Sequence, residues 1–359
     1  MLQFNFLKIN SPPLVGVDIS STAIKLVELG ETGRERCSLE RYAIEPLPKD
    51  AIVEGNIAKM DDVVEAMKRA WERMGSRSRH VALALPAAAV ITKKIILPAD
   101  LTEEEMEIQV EAEANQVIPF ALDEVNLDFQ VLNPVPNSVN DVEVLIVASR
   151  KEKVEDRVAV AEAAGLKVLV VDTEFNASQT AYEGMAHILP ESGRGQIVAL
   201  IDIGATTMHI LVFVNNIMVY SREQSFGGNQ LTLEIQRRYG LSSDEAEKAK
   251  RKGNLLENYD LEVLHPFIET LALEISRALQ LFFSSTSYIK VDHIVLAGGC
   301  TVLPGLDEAV ANRTEASTLV ANPFVGMTLS ARIMATKLAA DAPALMVACG
   351  LAMRRFDSV

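Results

Sequence analysis

Two aspartates occupy positions suited to phosphate and metal chemistry. In LVGVDISSTAIKLVEL (residues 14–29), Asp18 closes an apolar run, and Ser20, Ser21 and Thr22 follow closely. In VALIDIGATTMHILVFV (residues 198–214), Asp202 closes a second run, and Gly204, Ala205, Thr206 and Thr207 follow. Backbone N–H groups of such turns can form concave anion sites, and small side chains let phosphate oxygens approach closely. A carboxylate at each strand end would repel those phosphates unless a divalent cation lay between. Mg2+ suits the place, because it keeps several waters and takes one or two carboxylates together with phosphates. Asp18 and Asp202 are therefore expected to hold Mg2+ through water as a matched pair, although an Asx-turn explains either residue alone. Lys25 lies in mid-strand and either snorkels to an edge or reaches toward the turn and the phosphate charge.

The elements that would position these residues occur twice. The first half reads strand (LVGVDI), strand (AIKLVEL), a turn from Gly30 to Gly33, strand (CSLERYAIEPL), then a helix with Val63, Ala66, Met67, Ala70, Trp71 and Met74 on one face. A strand (HVALALP), a helix (VEDRVAVAEAAG), a strand (KVLVVDTE) and a small-residue helix from Asn176 complete it. The second half gives strands VALIDI, MHILVFV and IMVYSREQ, with Asn215-Asn216 as a tight turn. The helix FIETLALEISRALQLFF, the strand HIVLAGG, the helix LDEAVANRT, the strand STLVANP and a small-residue helix PALMVACGLAMR follow. Each unit carries an intervening segment. Residues 87–165 read strand, helix, strand, strand, with Thr102 and Glu105 as a capping box. The segment from Gly227 to about Tyr288 reads as mainly helical.

Bulk properties narrow the function. A chain of 359 residues with a formal charge of −15 has no large basic face for nucleic acid and no charge-driven attraction to anionic lipid. Cys37, Cys300 and Cys349 are scattered, with no CxxC pair and no metal framework. The N-terminal MLQFNFLKINSPP lacks the apolar core of a signal peptide, the run from 197 to 214 is interrupted by Asp202, Gly204 and His209, and the C-terminal stretch has no evident amphipathic membrane helix. A cytoplasmic chain without direct membrane insertion is expected. No Gly-Lys-Ser/Thr loop and no GxGxxG is present.

These motifs carry a resemblance. VGVDISST and LIDIGATT resemble the two phosphate motifs of the actin-like ATPase superfamily, which includes actin, chaperone ATPases, sugar kinases and FtsA, and IVLAGGCTVLPGL resembles its adenosine motif. The resemblance implies Gly298 and Gly299 beneath the nucleotide. It also implies two connecting helices crossing at a hinge through Ala177, Ala181, Gly184, Ala348, Gly350 and Ala352. SFGGNQLTLEIQRRYGLSSDEAEKAK resembles an FtsA-type stretch and places Gly227 and Gly228 at the nucleotide. Glu247 and Lys250 fall where chaperone ATPases hold ribose and adenine; a solvated charged helix is the other reading. Glu174 falls where a carboxylate orients the attacking water, or else it is a helix N-terminal charge. One departure is Asp-Ile-Ser in place of the usual Asp-x-Gly, since serine has less backbone freedom.

The N-terminal stretch and VVDTE are most similar to the PilM-type proteins of type IV pilus assembly. The fold implied is α/β: duplicated actin-like, ribonuclease H-like cores with two inserted subdomains, one of FtsA type. The first core takes residues 1–86, 166–192 and 340–359, with the insert at 87–165 as the partner surface. The second takes 193–226 and 289–339, with a helical insert at 227–288 over the adenosine. The implied function is an ATP- and Mg2+-binding cytoplasmic scaffold, at most a slow ATPase. It would dock the N-terminal tail of PilN, engage PilO and PilP indirectly, and sit peripherally at the inner membrane. Self-association is left open. The alternatives are an FtsA-like filament protein and a small-molecule kinase of the same superfamily.

Overall fold

The computed structural model describes residues 13–357 apart from 32–36, 136–137, 139 and 253–257. The N-terminal segment examined for a signal core, the far part of the Gly30–Gly33 turn and the last two residues lie outside the described residues.

The chain begins with a meander of β1 (Leu14–Ile19), β2 (Ala23–Glu31) and β3 (Cys37–Pro46), then a short hairpin of β4 (Ile52–Val53) and β5 (Asn56–Ile57), helix α1 (Met60–Met74) and β6 (His80–Leu85). It departs through β7 (Val90–Pro98), α2 (Glu103–Val117), β8 (Val125–Pro134) and β9 (Asp141–Arg150), and returns through α3 (Lys151–Ala163), β10 (Lys167–Thr173) and α4 (Glu174–Met185). A second meander of β11 (Ile197–Ile203), β12 (Met208–Val214) and β13 (Ile217–Gln224) follows, then α5 (Asn229–Tyr239), α6 (Ser243–Lys252), α7 (His265–Ser285), β14 (His293–Ala297), α8 (Leu306–Thr314) and β15 (Ser317–Val320). The chain closes with β16 (Thr328–Leu329), α9 (Ala335–Asp341) and α10 (Met346–Met353).

Two sheets share one connectivity. The first runs β10-β6-β1-β2-β3-β16 and the second β13-β12-β11-β14-β15. In each, a central strand is antiparallel to the meander strand that follows it and parallel to the strand after the helix. Central strands are covered on both faces, which is why β1 and β11 read as near-continuous apolar runs. Asn215 and Asn216 both take positive φ, 54° and 64°, as a tight hairpin between β12 and β13 requires.

The helices form layers. α1 and α3 cover one face of the first sheet, with Met67, Trp71 and Val160 against Val15, Val17 and Leu83. α7 and α8 cover the outer face of the second, with Leu271, Ile275 and Val310 against Ile201 and Ile294. α4 and α10 lie between the sheets and cross without side-chain spacers. A Cβ on Gly350 would fall onto the Ala177 carbonyl, and one on Gly16 of β1 would fall onto the Ala348 carbonyl. The stretch Ala335–Phe356 is long and apolar enough by composition to cross a membrane, yet α10 is buried between the sheets from Met346 to Ala352.

Residues 87–165 build a separate three-stranded sheet, order β7-β9-β8, under α2. Met106, Val110 and Ala114 pack on Val144, Ile146 and Ala148. The Thr102–Glu105 capping box is present, with both reciprocal bonds formed. One assignment shifts. Thr328 and Leu329, placed by sequence in the second core, pair with Ser38 and Leu39 at the edge of the first sheet. Phe324 and Leu338 pack in the cluster beneath that sheet. A two-residue strand carries too little periodicity to reveal its partner.

Candidate functional site

Strand pairing places the two aspartates in equivalent surroundings. Asp18 lies directly opposite Lys25 on β2, and Asp202 directly opposite His209 on β12. Each turn closes in the same way: the Ser20 N–H donates to the Ala23 carbonyl at 3.0 Å, and the Gly204 N–H to the Thr207 carbonyl at 2.9 Å. The Ser20 hydroxyl adds a bond to the Ala23 carbonyl at 2.8 Å. Neither Ser20 nor Gly204 takes positive φ, so serine in the Asp-x-Gly position introduces no backbone strain here. Ser21 is half-buried, and Thr22 and Thr206 are exposed at the turn tips.

The charges converge. Lys25 Nζ donates to Asp18 Oδ2 at 2.9 Å, with the Asp18 side chain almost wholly buried. Burial alone would lower the Lys25 pKa; Asp18, Asp202 and Glu174 outweigh it and raise it. Lys25 therefore turns inward to the acids and does not snorkel to an edge. Burial raises the Asp202 pKa against the pull of Lys25 and His209. The Asp202 carboxylate accepts no hydrogen bond from the described residues. A cation with its hydration shell could meet that carboxylate; the missing Cβ of Gly298, whose position would be 2.5 Å from Asp202 Oδ1, lets the Gly298 backbone pack directly against it. Among the described residues no group of three or more His, Cys, Asp or Glu is arranged to hold a metal directly. The donor set fits a hydrated Mg2+ that takes its remaining ligands from phosphate.

Glu174 begins α4, where β10 ends beside β6. Its carboxyl is pushed up to about 7, first by burial and then by Asp18, against His209, Arg157 and the Ala87 N–H. Burial works to lower the His209 pKa, but the Glu223 hydrogen bond and the surrounding carboxylates raise it. His209 Nε2 lies 3.1 Å from Glu223 Oε2 and 4.0 Å from Glu174 Oε2, and Phe175 packs edge-on against the ring at 5.3 Å between centroids. Arg157, on α3, is buried, donates to the Gly55 carbonyl at 3.0 Å and leaves Nη1 without a hydrogen-bond partner. Neither His209 nor Arg157 stood out as a site residue. His209 carried a signal, since it follows Asp202 at the same seven-residue interval as Lys25 follows Asp18. Arg157 gave none, because it closes a run of charged residues in the first half of its helix.

A glycine layer flanks the second turn. The Gly228 and Asn229 N–H groups donate to the Gly204 and Ala205 carbonyls at 3.0 and 2.8 Å. A Cβ on Gly227 would stand 2.6 Å from the Gly204 carbonyl oxygen. Gly298, at φ 93°, stacks over Ile203 and Asp202, which only glycine tolerates. Open space surrounds the Cβ position of Gly299. Lys250 Nζ donates to the Thr232 hydroxyl at 2.9 Å and pairs with Glu247 at 2.6 Å. The hydroxyl in turn donates a hydrogen bond to Glu247 Oε2 at 2.9 Å, and Cys300 Sγ donates to the Gly204 carbonyl at 3.4 Å. Glu247 and Lys250 thus adjoin the Gly228 turn and are not lost to a solvated face.

A family model described as type IV pilus assembly protein PilM matches residues 16–356. The chain belongs to the PilM family. A solved PilM–PilN type IV pilus biogenesis complex contains a chain 27% identical to this PilM-family chain; the match covers 96% of this chain and 99% of that one with a TM-score of 0.81. The ethanolamine utilization protein EutJ of Carboxydothermus hydrogenoformans shares the fold at 17% identity, covering 95% and 89% of the two chains with a TM-score of 0.57. Cell division protein FtsA of Bacillus subtilis strain 168 is 24% identical over 268 residues, which span 68% of this chain but only 58% of that protein.

Proposed function

We propose that this PilM-family protein is a cytoplasmic, ATP-binding scaffold of the type IV pilus assembly complex. It docks the N-terminal tail of PilN and is held at the inner membrane through that partner, with PilO and PilP engaged indirectly. The observation that carries the reading is the near-complete likeness to a PilM–PilN complex, over 96% of this chain. The equal connectivity of the two sheets supports duplicated cores, with residues 87–165 as an FtsA-type insert and 227–288 as a helical one. In this reading the turns at Ser20–Thr22 and Gly204–Thr207 cradle the phosphates. Asp18 and Asp202 hold hydrated Mg2+, which offsets the triphosphate charge, and Gly227, Gly228, Glu247, Lys250, Gly298 and Gly299 surround the nucleoside.

The docking groove has a candidate position. Ala88, Ala89, Ile91, Phe120, Val125, Ala148, Arg150 and Lys153 line an open hollow at the end of the insert's sheet that leads into α3. Arg150 stacks over Phe120 at 5.4 Å from the ring centre, which gives the hollow an apolar floor with a cationic rim. A peptide with apolar anchors would suit it.

The test is titration of a synthetic PilN-type N-terminal peptide into the purified protein, with and without MgATP. Saturable binding that changes with ATP is expected; absence of binding under both conditions overturns the reading. The FtsA likeness supports a second reading, a filament-forming ATPase. ATP-stimulated pelleting without any partner would favour it.

A further inference from the structure

One carboxyl touches both regions that the proposed function requires. β6 ends at Leu85, Pro86 follows, and residues 87–89 form the tight turn from which the insert departs. β10 runs parallel beside β6, with Thr173 opposite Leu85, so α4 starts next to that turn. Glu174 Oε2 accepts a hydrogen bond from the Ala87 N–H at 3.3 Å. The same oxygen lies 4.0 Å from His209 Nε2, on the second sheet. His209 stands opposite Asp202 in the strand register. Beyond Ala87, the side chains of Ala88 and Ala89 line the hollow, and the Ala89 carbonyl is fastened to β9 by the Ser149 hydroxyl at 2.8 Å. A continuous path therefore runs from Asp202 through His209, Glu174 and the Ala87 amide to the wall of the hollow.

We propose that the hydrogen bond from the Ala87 N–H to Glu174 links occupancy of the phosphate crevice to the shape of the docking hollow. The inference rests on the reading of a nucleotide site and a peptide groove given above. Two sites communicate only if each ligand has different contacts in two states of something they share. The shared element here is the turn at residues 87–89, which Glu174 holds against the second sheet. A polyanion on the turns draws the two halves together and fixes His209 and Glu174 in place. Glu174 then fixes the Ala87 amide, and the hollow keeps the width that admits the peptide. Glu174 acts as a positioning residue in this scheme.

Ala87→Pro isolates the bond. Proline has no N–H to donate, and it suits the first position of a helical turn. Pro86 already has the extended backbone, φ −64° and ψ 148°, that a following proline favours. A fluorescent ATP analogue and a PilN-type N-terminal peptide are each titrated alone and in the presence of the other. In the wild type, ATP tightens peptide binding by about fivefold or more, within the usual range of coupling between sites. In Ala87→Pro each ligand alone binds within about threefold of wild type, while the coupling factor falls to about one. Glu174→Ala cuts the same bond from its other end, so its coupling factor falls likewise. If Ala87→Pro fails to fold, Glu174→Ala carries the test. Hydrogen exchange at residues 88–91 gives a second readout, slowed by ATP in the wild type and unaffected by ATP in Ala87→Pro. Retained coupling in folded Ala87→Pro or in Glu174→Ala overturns the inference, and so does a wild type that binds both ligands independently. Failure of the wild type to bind ATP or the peptide at all refutes the underlying reading instead.

Discussion

Glu174→Gln is expected to stabilise the nucleotide-free protein at alkaline pH and to do little in acid. The Glu174 carboxyl is pushed up to about 7 in the folded chain, so the folded state holds that proton more tightly than the unfolded chain does. Stability is therefore greatest in acid. It falls as pH rises from the ordinary glutamate value to about 7, and above that the full cost of the buried charge is present. At pH 8 that cost is about 3 kcal/mol, and a neutral amide of the same shape avoids it while still offering Ala87 an oxygen. For a chain of 359 residues the corresponding rise in Tm is about 4 °C. At pH 5 the wild-type carboxyl is already mostly protonated, and the gap shrinks to about 1 °C or less. Differential scanning fluorimetry of both proteins from pH 5 to pH 8, without nucleotide or metal, measures the gap. A Tm difference that stays constant across this range would refute the assignment of a buried, proton-holding carboxyl, and so would a wild type that is the more stable protein at pH 8.

Three further outcomes are expected. Asp202→Ala removes the ATP-dependent thermal stabilisation, which at a hundred times the dissociation constant amounts to about 2.7 kcal/mol in the wild type; an undiminished ATP shift in a thermal melt counts against the phosphate site. Gly350→Ala drives a methyl onto the Ala177 carbonyl and costs about 3 kcal/mol, read as a lowered denaturation midpoint; an unchanged midpoint would mean that the helices can separate freely. Phe120→Ala weakens the PilN-type peptide about tenfold while ATP affinity holds, by parallel titrations; equal loss of both ligands would place Phe120 in a structural role.

Much of the fold could be read from the residues because both meanders bury their central strands. Continuous apolar runs ending on Asp18 and Asp202 marked the strand ends, and hydroxyl-bearing turns marked the reversals. The capping box at Thr102 and the Asn215-Asn216 turn were equally local signals. What escaped was set by distant packing. Nothing near Arg157 in the chain indicates that it is buried against the Gly55 carbonyl. Pairing of Thr328 and Leu329 with β3 depends on a fold already formed around them. His209 was within reach of a strand register: laying Asp202 opposite its partner, as Asp18 lies opposite Lys25, would have drawn it into the site.

The buried position of α10 has a consequence for synthesis. One face of the first sheet, with Val27, Leu29 and Leu39, is covered by Ala348, Cys349 and Ala352 near the end of the chain. A nascent chain emerging from the ribosome has its first sheet without that cover until α10 has been translated. Domains tend to fold from the N-terminus as they appear, but this one must wait. A chain ending at residue 330 would expose that apolar face and is expected to bind a hydrophobic dye strongly.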